Sequence, residues 1–171
     1  TNLYKEILKE SVDADTFDAD YRSVFVKNIK KAAKDNLFDS RLLNYDLKDL
    51  AEYIKPERDL ILKYVGIKNI YDRDQDKVVE TPQAFYMRVA MGLCFNEDNP
   101  QERAKALYDV YSQHLASPST PTLFNSGTKH NQLSSCYLSE IHDSVDGIFD
   151  GLWQEARKSK YAGGLGFHVS K

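Results

Sequence analysis

Apolar residues recur at helical spacing through the first two thirds of the chain. One early stripe has members three or four positions apart: Phe17, Tyr21, Val24, Phe25, Ile29 and Ala32. Asp46 can cap a further helix, and Pro82 and Pro100 each stand at a favourable first helical position. This pattern predicts an almost entirely helical domain over residues 1–116.

The stretch between these helices carries weaker signals. Pro56 predicts the start of a helix that runs to Val65. Three aspartates at alternate positions in 72–76 resemble the start of a calcium loop, but the required glycine and glutamate are missing from its sixth and twelfth positions. A solvated turn is therefore the preferred interpretation. The histidines show no metal-ligand spacing either, so no metal site is expected.

The pattern changes after residue 116. Segment 117–122 holds two prolines and no helical periodicity, which predicts a domain boundary. Residues 134–141 then predict a strand, 144–160 an amphipathic helix, and 163–169 a glycine-rich turn that enters a second strand. A strand, a helix and a strand in this order predict a βαβ unit with parallel strands, and hence a second domain over residues 117–171.

The helix predicted over 144–160 has a wide apolar stripe. Its members are Val145, Ile148, Phe149, Leu152, Trp153 and Ala156. Such a stripe is wide enough to contact a sheet on one side and a partner helix on the other. Asp143 and Asp146 at the helix start would repel phosphate, yet a carboxylate there can accept a hydrogen bond from a sugar hydroxyl.

Composition narrows the class of protein. The 171 residues are 42% hydrophobic and 29% charged with a net charge of −3, which is typical of a globular domain and argues against nucleic-acid binding. No apolar run is long enough to cross a bilayer, so no membrane is expected. Two cysteines make no disulfide framework, which favours a reducing cytoplasm, and Cys94 on a helix is expected to be a small buried hydrophobe.

Four stretches in the last third, taken together, resemble one family. They are Ser119-Thr-Pro-Thr-Leu-Phe-Asn-Ser-Gly-Thr128, Gln132-Leu-Ser-Ser-Cys136, Asp143-Ser-Val-Asp-Gly-Ile148 and Lys160-Tyr-Ala-Gly-Gly-Leu-Gly166. In this order they resemble the large, catalytic subunit of ribonucleotide reductase, most closely the class I form. The vitamin-B12-dependent class is the alternative relative. The resemblance implies a mixed α and α/β fold: a helical N-terminal domain, followed by the first βαβ unit of a ten-stranded α/β barrel.

The resemblance also implies roles for particular residues. Cys136 would be one thiol of the redox-active pair; Thr120, Ser135 and Gly164 would hold or admit the substrate; Asp143, Ser144 and Val145, with Lys160 nearby, would contact an allosteric nucleotide. That effector would be ATP or a deoxynucleoside triphosphate. No cofactor is expected in this chain itself, because the radical would come from a metal-containing partner subunit.

The family's radical-bearing cysteine and its second redox cysteine lie on later loops, and this chain has no cysteine after Cys136. We therefore expect a piece that is inactive alone and is completed by the C-terminal part of the large subunit. Other implied partners are the radical-generating small subunit, a second large subunit through helix 144–160, and thioredoxin or glutaredoxin as reductant. The alternatives left open are a non-catalytic nucleotide-binding or interaction module and a silent fragment.

Overall fold

A computed structural model describes residues 17–61, 71–72, 77–78, 80–160 and 163–169. The chain divides into two compact units. The first comprises Thr1–Ser117 together with Gly127–Lys129, and the second comprises Pro118–Ser126 together with His130–Lys171. The division into domains after residue 116 stays a prediction, and the short return of Gly127–Lys129 to the first unit was not foreseen.

The first unit is helical, as predicted. Its elements are α1 (Phe17–Lys34), a 3-10 helix (Ser40–Asn44), α2 (Leu47–Tyr53), a second 3-10 helix (Pro56–Ile61), β1 (Tyr71–Asp72), β2 (Lys77–Val78), α3 (Pro82–Leu93) and α4 (Pro100–Ser112). β1 and β2 pair antiparallel, so the unit is not purely helical. The helix predicted to reach Val65 is a 3-10 helix as far as Ile61, and the rest of that prediction lies outside the described residues, as do residues 73–76 of the calcium-like segment.

Two of the predicted helix starts are capped by side chains. The Asp46 carboxylate accepts hydrogen bonds from the backbone N–H groups of Lys48 and Asp49 at 3.1 Å, which satisfies two donors at the start of α2. The Asn99 side chain likewise accepts from the N–H of Glu102 at the start of α4. These local bonds explain why both helices begin where the sequence places them.

A continuous apolar core holds the first unit together. Its largest fully buried apolar side chains are Tyr21, Tyr108, Phe25, Ile29, Leu42, Leu50, Ile54, Met87 and Met91. Cys94 ends α3 at the edge of this core and is buried, so its interpretation as a small hydrophobe is confirmed. Burial raises the pKa of the Cys94 thiol, which disfavours the reactive thiolate.

The returning segment Gly127–Lys129 packs beside a buried ion pair. The Arg88 Nε lies 2.9 Å from each carboxylate oxygen of Glu80, and both side chains are almost inaccessible. Gly127, at a φ of +73°, packs on Arg88 so closely that an added Cβ atom would lie 3.1 Å from the Arg88 Cγ. The Gly127 carbonyl accepts from the N–H of Asp39 at 3.0 Å, which fixes the returning segment.

The second unit contains α5 (Thr120–Asn125), β3 (Cys136–Ile141), α6 (Val145–Lys160) and β4 (Gly164–Val169). β3 and β4 pair in parallel, from Cys136 opposite Gly164 to Ile141 opposite Val169, which confirms the predicted βαβ unit. α5 corrects the expectation that segment 117–122 lacks helix. Proline is tolerated in the first turn of a helix, where its missing N–H needs no partner.

Helix α6 contacts the sheet with a face that the hydrophobic pattern did not indicate. A Cβ atom added at Gly151 would lie 3.2 Å from the Ile141 Cγ1, and one added at Gly147 would lie 2.8 Å from the His142 carbonyl oxygen. The apolar stripe instead faces outward, with Val145 71% and Phe149 68% exposed. The sheet therefore packs against the face of α6 that carries glycines. The apolar stripe, which was predicted to contact the sheet, stays uncovered in the described part of the chain.

Candidate functional site

The first candidate site lies where β3 begins. The Ser135 carbonyl accepts a hydrogen bond from the N–H of Gly164 at 2.6 Å, and the Ser135 hydroxyl donates to the Cys136 Sγ at 3.5 Å. A Cβ atom at Gly164 would lie 3.0 Å from that carbonyl oxygen. The structure thus brings Ser135, Cys136 and Gly164 together, with glycine allowing the close contact.

The Cys136 thiol lies on the face of the sheet that points away from α6. Residues paired across parallel strands project to the same side, and successive residues alternate. Cys136 and Leu138 therefore share one face, while Tyr137, Ser139 and Ile141 face the helix. Cys136 is a free, exposed cysteine, and Leu138 is 92% exposed. An exposed thiol on an open face is available for redox chemistry in a way that Cys94 is not.

Thr120 belongs to the same unit but to a different element. It lies exposed in the first turn of α5. Two hydrogen bonds join α5 to the segment before β3: the Thr122 hydroxyl donates to the Leu133 carbonyl at 2.9 Å, and the Asn125 amide donates to the Gln132 carbonyl at 2.7 Å. These bonds set the position of Thr120 relative to the segment that leads into Ser135.

The second candidate site lies at the turn from β3 into α6. The Ser144 hydroxyl accepts from the N–H of Gly147 at 3.0 Å, and the Ser144 carbonyl accepts from that of Ile148 at 2.9 Å, so Ser144 caps the helix. Asp143 and Val145 flank it, and all three residues are exposed. A carboxylate, a hydroxyl and an apolar side chain suit the hydroxyls and base of a nucleoside.

Lys160 does not join this group within one copy. It ends α6, whose 16 residues span about 24 Å at the usual helical rise. Within one copy, Lys160 and Asp143 therefore lie at opposite ends of the helix, and the role of Lys160 beside the nucleotide stays a prediction. Asp143 and Cys136 are also separate, since the seven-residue step along an extended strand covers about 20 Å. The two candidate sites occupy opposite ends of β3.

The sequence reasoning missed a polar group between α6 and β3. The Lys158 Nζ donates to the Ser139 hydroxyl at 2.6 Å and to the Glu155 Oε1 at 2.8 Å. Gly147, Gly151 and Glu155 are four positions apart, a spacing that places them on one line along a helix. That spacing was the available signal, and the more prominent apolar stripe obscured it.

The described part of the chain contains no group of three or more histidine, cysteine, aspartate or glutamate side chains that could hold a metal ion. Among its helices, none is long and apolar enough to span a lipid bilayer.

Comparison with known proteins places these features in a family. A family profile described as "Ribonucleotide reductase, all-alpha domain" matches residues 63–131. The chain is 41% identical to the ribonucleoside-diphosphate reductase subunit alpha of Chlamydia muridarum, over 96% of this chain and 16% of that protein. It is 43% identical to the protein of the same name from Helicobacter pylori, over 74% of this chain and 17% of that protein.

A eukaryotic relative gives the same result. The ribonucleoside-diphosphate reductase large subunit of Trypanosoma brucei brucei is 36% identical over 99% of this chain, which covers 21% of that protein. The chain thus spans 16% to 21% of the length of these three relatives. The aligned stretch includes both the helical unit and the βαβ unit that carries Cys136. The chain belongs to the family of ribonucleotide reductase large subunits.

Proposed function

We propose that this chain forms part of the catalytic subunit of a ribonucleoside-diphosphate reductase, which converts ribonucleotides to deoxyribonucleotides by a radical mechanism. The observation that carries the proposal is the exposed Cys136 thiol beside Ser135 and Gly164. A thiol at the start of a strand, next to a glycine that leaves the backbone open, suits a substrate that must come close. Activity would require the rest of the large subunit, so the chain alone is inactive.

The uncovered sheet supports a barrel in the complete subunit. Parallel sheets are normally covered on both faces, yet Leu138, on the face that points away from α6, is 92% exposed. We propose that β3 and β4 are the first two strands of a ten-stranded α/β barrel. The remaining C-terminal part of the large subunit would supply the other strands, and Cys136 would then face the interior.

In the complete enzyme, Cys136 and a second cysteine from the remaining part would serve as a dithiol. Replacing the ribose 2′-hydroxyl by hydrogen and releasing water requires two electrons and two protons, which two thiols supply as they form a disulfide. Thioredoxin or glutaredoxin would then reduce that disulfide in the cytoplasm. The metal-containing small subunit would supply the radical that starts the reaction. Thr120 and Ser135 would hold the diphosphate or ribose of the substrate.

The turn into α6 would bind the allosteric nucleotide, ATP or a deoxynucleoside triphosphate. Asp143 would accept a hydrogen bond from the sugar, beside Ser144 and Val145. Within one copy, Lys160 is about 24 Å of helix away, too far to reach the phosphates of the same nucleotide. A second copy packed on the exposed stripe of α6 about a two-fold axis perpendicular to the helix would run antiparallel and bring its own Lys160 to Asp143.

A matched pair of cysteine variants tests the redox role. The complete large subunit carrying Cys136→Ser, assayed with the small subunit and thioredoxin, should lose multiple-turnover formation of deoxyribonucleotide. Cys94→Ser is the control, and it should keep turnover because Cys94 is buried in the helical unit. Full turnover by the Cys136→Ser protein would contradict the proposal. Nucleotide binding with no turnover by any reconstituted enzyme would favour a non-catalytic nucleotide-binding module.

A further inference from the structure

Three polar side chains meet on the side of α6 that packs against β3. The Lys158 Nζ donates to both the Ser139 hydroxyl and the Glu155 carboxylate, at 2.6 and 2.8 Å. Glu155 is only 4% exposed. We call Ser139, Glu155 and Lys158 the inner polar cluster. It occupies the position where an amphipathic helix normally places its apolar residues.

Stability alone does not explain this cluster. Glu155 is buried, whereas 27% of the Lys158 side chain is exposed, so this pair loses hydration on one side, is screened by water on the other, and gains little stability. The second carboxylate oxygen of Glu155 is also buried and has no hydrogen-bond partner in the described part of the chain. The hydrogen bonds from Lys158 and then Ser139 hold the pKa of Glu155 below its ordinary value, so the carboxylate is charged at neutral pH.

The cluster selects one register of helix against strand. Along α6, Gly147 packs against His142 and Gly151 packs against Ile141. About one helical turn past Glu155, Lys158 donates a hydrogen bond to Ser139. A shift of one residue would turn the helix by about 100° and place a side chain where a glycine now touches the strand. It would also separate Lys158 from Ser139. Buried polar groups that specify register are a known use of such pairs.

The cluster lies between the two candidate sites. One end of β3 carries Cys136, and the other leads through Asp143 into α6. We propose that Glu155 and Lys158 are positioning residues that lock α6 to β3, so that a nucleotide bound at Asp143 changes the reactivity of the Cys136 thiol. When α6 and β3 are locked together, a ligand that fixes the turn between them shifts both elements, including Cys136 on β3. When they are not locked, α6 can shift alone and Cys136 is not affected. This inference rests on the nucleotide site of the proposed function.

The test measures the rate at which iodoacetamide alkylates Cys136, read by mass spectrometry of the peptide, with and without nucleotide. ATP and each deoxynucleoside triphosphate are tried in turn, and calorimetry on the same protein measures binding. Nucleotide should change the alkylation rate by at least about fivefold, the lower range for coupled sites. In the Lys158→Met and Glu155→Gln variants, the ratio of the alkylation rate with nucleotide to the rate without it should fall towards one, while nucleotide binding persists.

The control variant is Arg157→Met, which removes a neighbouring positive charge whose guanidinium lies over the exposed Trp153 ring at 4.8 Å. It should keep the full nucleotide effect on Cys136. If Lys158→Met does not fold, as judged by circular dichroism, Ser139→Ala replaces it, because it removes only a hydroxyl and keeps the ion pair of Glu155 and Lys158. A purely structural role would lower the melting temperature without changing the ratio of the two rates.

The experiment distinguishes a failure of the positioning role from a failure of the nucleotide site. If nucleotide binds and the cluster variants keep the full change in the Cys136 rate, or if the unchanged protein shows no change, the positioning role is overturned and the nucleotide site stands. If no nucleotide binds at all, the nucleotide site of the proposed function fails, and the positioning role fails with it.

Discussion

The two units of this chain bury their apolar residues to very different degrees. In the helical unit, Tyr21, Leu42 and Leu50 are each 0% exposed. In the βαβ unit, Leu152 is 51% exposed and Trp153 is 59% exposed, and both residues lie on the apolar stripe of α6. The first unit buries most of its large apolar side chains and leaves only a few exposed, such as Leu43 and Leu115, whereas the second unit leaves most of its own exposed. Exposed patches of this kind usually mark a surface that another protein covers.

The buried polar groups of the two units differ as well. In the helical unit, the ion pair of Arg88 and Glu80 is surrounded by aromatic rings and fixes a returning loop. In the βαβ unit, the inner polar cluster joins a helix to a strand between two candidate sites. The helical unit therefore buries its polar groups inside a closed core, whereas the βαβ unit places them beneath an open apolar surface.

The largest expected effect tests the buried ion pair. Arg88→Met should cost about 3–5 kcal/mol of unfolding free energy, because it leaves the Glu80 carboxylate buried without its partner. Urea unfolding followed by circular dichroism measures this loss. The control is the double variant with Glu80→Leu, which should recover much of the stability. A loss below about 1 kcal/mol, as for an exposed pair, would contradict the assignment.

A matched leucine pair tests the comparison itself. Leu50→Ala in the helical unit should cost about 2–5 kcal/mol, because the cavity cannot close completely. Leu152→Ala on the exposed stripe should change stability by no more than about 0.5 kcal/mol. Both values come from the same urea titration of the monomeric chain. Equal losses at the two positions would mean that the stripe is buried within one copy.

A tyrosine pair sharpens the account of the helical core. The Tyr108 hydroxyl donates to the Gln83 Oε1 at 2.8 Å and accepts from the N–H of Lys55 at 2.9 Å. Tyr108→Phe leaves a buried acceptor unsatisfied and should cost about 1–3 kcal/mol. Tyr86→Phe is the control, because the hydroxyl there contacts the exposed His114. Similar losses for both variants would count against a buried network.

Alkaline titration checks the same tyrosine. Burial raises the pKa of Tyr108 to about 12, above the ordinary value of about 10. Because the folded pKa is the higher one, this contribution to stability is complete below pH 10 and is lost as the pH rises through 12. Tyr108→Phe should therefore flatten the fall in melting temperature over that range. An unchanged slope would indicate that Tyr108 is not buried.

The smallest effect on stability falls on the exposed stripe. Trp153→Arg should leave the unfolding free energy of one copy within about 0.5 kcal/mol, because the ring is 59% exposed. It should nevertheless weaken self-association, measured by sedimentation velocity over a range of concentrations with nucleotide present. Arg103→Glu, on the exposed surface of the helical unit, is the control and should leave association unchanged. Undiminished association of the Trp153 variant would place the interface elsewhere.

Local signals predicted much of the fold. Caps at Asp46 and Asn99 and the turn before β4 depend on a few neighbouring residues, so the sequence is enough to find them. The return of Gly127–Lys129 depends on the burial of Arg88, about 40 positions earlier, and no local pattern reports such a contact. The apolar stripe of α6 revealed an amphipathic helix, but periodicity does not say which face meets the sheet when glycines occupy the other face.

The candidate sites were predictable to a similar extent. Ser135, Cys136 and Gly164 meet because the parallel register follows from the βαβ order. The separation of Lys160 from Asp143 also follows from helix length, whereas the family resemblance grouped these residues without regard to the length of α6. The inner polar cluster remained hidden because Glu155 and Lys158 resemble ordinary surface charges in the sequence.

We propose that a second copy packed on α6 completes the nucleotide site. Two variants, Asp143→Asn and Lys160→Met, should each bind deoxynucleoside triphosphate weakly when measured alone by calorimetry. After subunit exchange, a mixed dimer would contain one site with both natural residues and one with neither. Mixing should restore tight binding at one site per mixed dimer. A mixture that binds no better than the separate variants would contradict it.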